Sequence, residues 1–261
     1  MKLQRNLTSK EWAEVAALGP GIRKYQGKVT VFYNGEENLW EEERESWEVI
    51  IVLPGVKVIH WNIFHCCPNV ETVIMSDSVK RIDSEAFMEC ESLKFVKLSR
   101  NLKYIGRFAF LFCNSLTSIF IPPSCREIGY QAFADCKELI IFSVPQRTQL
   151  DRNVIAETAL LKGTTFETDE DGDYENTQEV NAWIKNINDE EEYALHRACS
   201  SYNPLTDIIY DIVKRQGLKS FATKNQIGVT PLQYLKENPF ANIDQQNLMK
   251  RYILEMMGAT V

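Results

Sequence analysis

Histidine is scarce in this sequence, glycine does not cluster, and apolar runs are short. Three histidines and twelve glycines are spread over 261 residues, and no glycine-rich loop of phosphate-binding type is present; Gly163 and Gly172 stand alone. No stretch approaches the roughly 20 apolar residues that a membrane-spanning helix needs. The segment Met1 to Leu18 carries Lys2 and Arg5 but lacks the apolar core of a signal peptide. A formal charge of −7, without any basic stripe, argues against a general affinity for nucleic acid phosphate or anionic lipid. Seven cysteines is an odd count, and four of them share one repeated position, unlike the varied spacings of a secreted disulfide scaffold. A soluble intracellular protein is expected, cytoplasmic with the nucleus left open, and the Asn6-Leu7-Thr8 sequon is then coincidental.

What the sequence does contain is repetition. From Val56 to Arg147, four segments of 23 residues follow one another without insertion, starting at Val56, Val79, Leu102 and Cys125. Offset four reads Ile59, Ile82, Ile105, Ile128, and offset nine reads Phe64, Phe87, Phe110, Phe133, preceded by alanine in three copies. Offset twelve is cysteine throughout (Cys67, Cys90, Cys113, Cys136), and offset fifteen is Val70, Leu93, Leu116, Leu139. Offsets eighteen and twenty are apolar in every copy, from Val73 and Met75 to Phe142 and Val144, which is the alternation of a half-buried strand. Trp47, Ile50 and Val52 sit one period upstream and suggest a partial opening coil.

One coil cannot fold by itself. Its roughly six apolar side chains contribute about 1.5 to 3 kcal/mol each on burial, while ordering the backbone costs about 1 to 2 kcal/mol per residue. Stacking must supply the difference, so the array is cooperative and its ends need caps. The consensus apolar-x-x-Ile-x-x-x-Ala-Phe-x-x-Cys-x-x-Leu-x-x-Val-x-Leu resembles the BspA-like class of leucine-rich repeat. That resemblance implies a right-handed solenoid with one strand per coil on a concave side. It also implies a recognition surface in place of a catalytic scaffold.

Ahead of the array, Ser9 is the expected N-cap of a helix over Lys10 to Leu18, stopped by Gly19-Pro20-Gly21. Val29, Val31 and Tyr33 alternate before Asn34-Gly35, which predicts a hairpin running on to Leu39-Trp40 and shielding the first coil. Glu36, Glu37, Glu41, Glu42, Glu43 and Glu45 form an acidic patch, read as a solvated face with an interaction tag as its alternative.

Beyond Pro145 the pattern decays through Val154, Ile155, Ala156, Leu160 and Leu161 into a closing coil. Glu167 to Thr177 reads as an acidic linker, and Gly172 falls too early for a calcium-binding EF-hand loop. From Gln178 the periodicity is helical, with Val180, Trp183, Ile184 and Ile187 on one face, then Ile208, Ile209, Ile212 and Val213, then Leu248, Tyr252, Ile253 and Met256. Two stretches, Leu195-His196-Arg197-Ala198 and Gly228-Val229-Thr230-Pro231-Leu232, keep complementary halves of the ankyrin motif and resemble that repeat. Their equivalent leucines, Leu195 and Leu232, lie 37 residues apart, against the usual 33 or so. The expected organisation is therefore α+β: a cap over 1–46, a leucine-rich repeat solenoid over 47–166, a linker over 167–177 and a helical ankyrin-like unit over 178–261.

Chemistry finds little purchase. Cysteines at one offset of successive coils form a row spaced by about 4.8 Å, which cannot converge tetrahedrally on one ion; they are expected to pack as small hydrophobes with weak S–H donors. His65-Cys66-Cys67 lacks a second ligand pair at metal spacing. His196 and Cys199 could pair as base and nucleophile on a helix, but the ankyrin resemblance makes that histidine a structural hydrogen-bonding group. No catalytic residue, metal or cofactor is assigned.

Function is placed on the strands. Residues flanking the buried positions alternate outward, in rows Val49, Thr72, Phe95, Ser118, Ile141, then Ile51, Ile74, Lys97, Phe120, Ser143, then Leu53, Ser76, Ser99, Pro122, Pro145. So apolar a face suggests a partner, unless the N-terminal helix or the helical unit folds over it. The expected partner-binding residues are Ile51, Thr72, Ile74, Phe95, Lys97, Phe120, Ile141 and Ser143. The expected role is a non-catalytic protein-interaction module engaging a protein or peptide; the alternative is a surface-displayed ligand-binding or adhesion protein. Partner identity and oligomeric state are left open.

Overall fold

In the computed structural model, residues 7–36, 41–162, 164, 166, 177–188, 193–200, 206–241, 247 and 251 are described. The chain divides into two compact units, Met1–Ala182 and Trp183–Val261. The acidic linker, the Leu39-Trp40 strand and the helix expected around Leu248 to Met256 lie largely or wholly outside the described residues.

The first unit is the expected solenoid. Strands β3 (Val49–Val52), β5 (Thr72–Met75) and β7 (Phe95–Lys97) pair in parallel, and β9 (Ser118–Phe120) pairs with β11 (Ile141–Ser143). Register follows the repeat: Val49, Thr72 and Phe95 align, as do Ile51, Ile74 and Lys97. A second parallel sheet runs through β4 (Val58–Ile59), β6 (Arg81–Ile82), β8 (Tyr104–Ile105), β10 (Glu127–Ile128) and β12 (Gln149–Leu150). Its last pairing, Ile128 with Leu150, shows the closing coil to be a fifth copy shortened by one residue. With that deletion, Ile155 takes the phenylalanine position, Thr158 the cysteine position and Leu161 the leucine position, and all three are buried.

A third ladder joins the turns, and it has no glycine signature. Asn62, Glu85, Phe108 and Gln131 at offset seven, and Cys66, Glu89, Phe112 and Asp135 at offset eleven, have φ between 50° and 61°. Asn62 and Asp135 tolerate left-handed backbone, but it is unfavourable for the glutamates, phenylalanines, glutamine and cysteine among them. Each nevertheless donates its N–H to a carbonyl of the next coil, as in Cys66 to Met88 at 2.9 Å and Glu89 to Leu111 at 2.8 Å. Hydrogen bonds repeated in every coil offset the local strain.

Inside, Phe64, Phe87, Phe110 and Phe133 stack face to face at 5.2, 5.1 and 5.0 Å. Tyr33 and Trp47 close one end edge-on, at 5.1 and 6.4 Å from Phe64, and Phe142 packs edge-on against Phe133. The cysteine column is fully buried, and its role is more specific than filling space. Cys90, Cys113 and Cys136 donate their thiol protons to the carbonyls of Phe64, Phe87 and Phe110, one coil back, at 3.2, 3.3 and 3.2 Å. Burial raises Cys90 and Cys113 well above the usual thiol range, which keeps those donors protonated.

The amino-terminal cap departs from expectation in two details. Helix α1 (Ser9–Leu18) is capped by Thr8, whose side chain accepts from Glu11 N–H while the Glu11 carboxylate accepts from Thr8 N–H. Thr8 outcompetes Ser9 because only Thr8 has a glutamate three residues on, completing a capping box. The hairpin lies before the alternating strand: β1 (Gly21–Tyr25) pairs antiparallel with β2 (Lys28–Tyr33) across Gln26-Gly27, both with positive φ, the geometry of a type I′ turn. β2 then pairs in parallel with β3 and completes the first sheet.

The second unit contains α3 (Ala194–Ser200), α4 (Thr206–Gln216) and α5 (Pro231–Glu237), and α2 spans Thr177–Asn186. Ile209, Ile212 and Val213 are buried on α4, whereas Ile208, expected on the same face, is 48% exposed. Gly217, with φ of 82°, donates its N–H to Val213 and ends α4. Thr230 caps α5 with Gln233, and Pro231 occupies its first turn.

Truncating the middle of the ring stack tests its weight. Phe110→Ala should lower the unfolding free energy by about 3 to 5 kcal/mol, read as a fall in the urea midpoint; a change under about 1 kcal/mol would show that the stack is not what holds adjacent coils together.

Candidate partner-binding face

Burial of the strand face reverses part of the expectation. Six of the eight candidate residues, Ile51, Thr72, Ile74, Lys97, Phe120 and Ile141, are buried, and only Phe95 and Ser143 retain partial exposure. The rows expected to face water thus do not do so at Val49, Leu53, Ser76, Ser99, Ser118 and Pro122 either. The reason is legible over the first coils. Leu7 and Val15 of the α1 segment pack with Phe32, Val49, Ile51, Leu53 and Ile74, and Trp12, Tyr25 and Phe95 lie against that cluster. An amphipathic helix, with Trp12 and Val15 three residues apart, therefore already occupies the apolar strip.

Lys97 is a structural cation. Its side chain is 4% exposed, and Nζ donates to the Met75 carbonyl at 2.9 Å and to Asp77 Oδ1 at 3.0 Å. Burial lowers the lysine pKa, and the Asp77 carboxylate partly restores it. Asp77 also accepts from Arg100 N–H at 3.0 Å, so the ammonium is fixed at the end of its strand and does not project towards a ligand.

Just before the strands runs a ladder of charge. Glu71 accepts from Lys28 and, at 2.8 Å, from Lys94, while Lys28 also lies 3.7 Å from Glu48. Hydrogen bonds from Lys28 and then Lys94 depress the Glu71 pKa to about 2. A carboxyl depressed on folding adds stability above its ordinary pKa of 4.5, and that contribution disappears as pH falls through about 2. Glu71→Gln should flatten the stability profile between those two values, measured by urea unfolding at stepped pH; a profile parallel to that of the unaltered chain would show the ladder to be energetically idle.

The remaining candidates separate cleanly. His196 is buried, and its Nε2 donates to the carbonyls of Thr223 and Val229 at 3.0 and 3.1 Å, which ties the turn before α5 to α3. Cys199 is buried and its pKa is raised by desolvation, contrary to what a nucleophile needs. Within His65-Cys66-Cys67, Cys67 belongs to the buried column, whereas Cys66 is exposed beside His65 and Glu89. Sequence reasoning missed Glu89 because it lies in the next coil, at the same offset as Cys66.

Residues 57–171 match the family model described as BspA type leucine rich repeat region, in six copies. Over those residues the solenoid is similar to leucine-rich repeats of BspA type. Solved structures similar to this chain include a leucine-rich repeat protein of T. pallidum, TpLRR, at 21% identity and TM-score 0.42, the match covering 54% of this chain and 67% of that one. A leucine-rich repeat protein from Bacteroides ovatus is 27% identical with TM-score 0.44, covering 55% of this chain and 37% of its own. The pneumococcal vaccine antigen PcpA is 24% identical with TM-score 0.42, covering 53% and 37%. Comparison with curated proteins returned no match. Among the described residues, no helix is long and apolar enough to cross a membrane.

Proposed function

We propose that this chain is a non-catalytic protein-interaction module whose solenoid strand face recognises an amphipathic helix of a protein or peptide. The observation that carries the reading is α1 itself: Val15 is fully buried and Trp12 partly so against Phe32, Ile51, Ile74 and Phe95, so the strip has the width and apolarity of a helix-binding surface. Phe95, half-buried at the margin of that cluster, is the residue through which a partner helix gains its first contact. Ile51 and Ile74 become available to it when α1 is displaced. The same strip would serve a surface-displayed ligand-binding or adhesion protein; the two readings share a surface and differ in compartment.

The helical unit is read as ankyrin-like and as a second docking site. The Thr230-Pro231 start of α5 and the anchoring of the buried His196 on the turn carbonyls support this reading.

A labelled peptide of residues 7–20 tests the surface directly. Val15→Asp disables the resident helix, so the full-length variant should bind the peptide at least about tenfold more tightly than the unaltered chain does. Adding Phe95→Asp should remove that binding. Equal binding by all three chains, with native circular dichroism, would refute the strip as a helix acceptor.

A further inference from the structure

The turn side of the first two coils brings together three side chains of different donor type. His65 and Cys66 occupy offsets ten and eleven of the first coil, and Glu89 occupies offset eleven of the second. Their ligand atoms all lie within 4.8 Å of one another. Cys66 Sγ is 3.2 Å from His65 Nε2 and 3.2 Å from Glu89 Oε2, and Nε2 is 3.6 Å from Glu89 Oε1. Cys66 is the one exposed cysteine among the seven, so an ion can reach it.

The directions of these contacts separate two chemistries. In a nucleophile–base–acid relay the acid orients the imidazole through the ring nitrogen remote from the nucleophile. Here the carboxylate faces the same Nε2 that faces the thiol, so the three groups converge on a common point. Convergence is the arrangement of a metal site. Zinc bonds of about 2.3 Å to sulfur and about 2.0 to 2.2 Å to nitrogen and oxygen, at tetrahedral angles, place ligand atoms about 3.4 to 3.6 Å apart. The Sγ–Nε2 separation of 3.2 Å is within about 0.4 Å of that spacing, and the Glu89 carboxylate approaches the pair through different oxygens, Oε2 at 3.2 Å from Sγ and Oε1 at 3.6 Å from Nε2. Thiolate, carboxylate and neutral imidazole together carry two negative charges, which balance a divalent cation.

We propose that His65 Nε2, Cys66 Sγ and Glu89 bind one zinc ion, with solvent water as the fourth ligand. On binding, the thiol proton that Cys66 donates to Glu89 leaves to solvent and the sulfur takes up the ion in its place. Two features hold the ligands ready. Cys66 and Glu89 both have left-handed backbone, with N–H groups bonded to the next coil at 2.9 and 2.8 Å, and Arg44 Nη1 donates to the His65 carbonyl at 2.9 Å. The ion would clip the first coil to the second. In the third and fourth coils the same two offsets hold Leu111 with Phe112 and Ala134 with Asp135, so the ligand set is confined to this pair of coils.

The test uses the full chain, reduced and freed of metal by a chelator that is then removed. Titration with zinc should give one equivalent bound and raise the thermal midpoint, as a ligand specific to the folded state must. Cobalt(II) should give a thiolate charge-transfer absorption. Cys66→Ser should abolish that absorption, and His65→Ala and Glu89→Gln should each weaken zinc at least about tenfold. Offset ten already tolerates Met88, Leu111 and Ala134, so His65→Ala leaves the coil intact; circular dichroism confirms folding of each variant. Absence of a one-equivalent complex, or binding left unchanged by any one of the three substitutions in a folded chain, overturns the assignment.

Discussion

Every feature of the solenoid depends on one constraint: the backbone of each coil is satisfied by the coil beside it. Parallel pairing of the longer strands, parallel pairing of the two-residue strands and the left-handed turn ladder carry hydrogen bonds along the array, and none of the three can form within a single 23-residue copy. Side chains at one offset therefore become columns. Phenylalanine repeated at offset nine becomes a ring stack at 5.0 to 5.2 Å, and cysteine at offset twelve becomes a set of thiols, three of which bond the phenylalanine carbonyl one coil back. A serine there would present a more strongly hydrated hydroxyl, and an alanine would lose the donor. Cysteine is small and apolar enough for a dry interior and still supplies the hydrogen.

The same constraint governs where chemistry can occur. Identical residues in a column are spread along the array and cannot focus on one atom, so focused chemistry requires the repeat to be broken. Cys66 and Glu89 share an offset but differ in type, and His65 stands where other copies carry Met88, Leu111 and Ala134. This is the one place among the described residues where three different ligand types meet. The charge ladder of Lys28, Glu48, Glu71 and Lys94 is a related case: two carboxylates flanked by a lysine on either side turn a column into a chain of ion pairs.

An apolar strand face also has to be covered, and the first unit covers part of it with its own helix. The cap begins with Thr8 and Glu11, continues through Val15 and returns through the β1–β2 hairpin, so one short segment both ends the sheet and lies on its face. This economy explains why Val49, Ile51, Leu53 and Ile74, which alternate outward along the first strands, are as buried as their inward neighbours.

Much of this was legible in the residues. Exact 23-residue spacing specified the parallel register, the phenylalanine and cysteine columns and the opening coil, because a repeat without insertions admits one stacking. The closing coil was readable only as decay, since a single deletion before Leu150 shifts every later position by one. Gln26-Gly27 was overlooked beside the stronger Asn34-Gly35 turn signal, and the left-handed turns carry no glycine to announce them. Periodicity is a local property that the chain writes down directly. What lies across a face, as α1 does over Ile51 and Ile74, or across a coil boundary, as Glu89 does beside Cys66, depends on which distant surfaces fold together, and only the tertiary structure decides that.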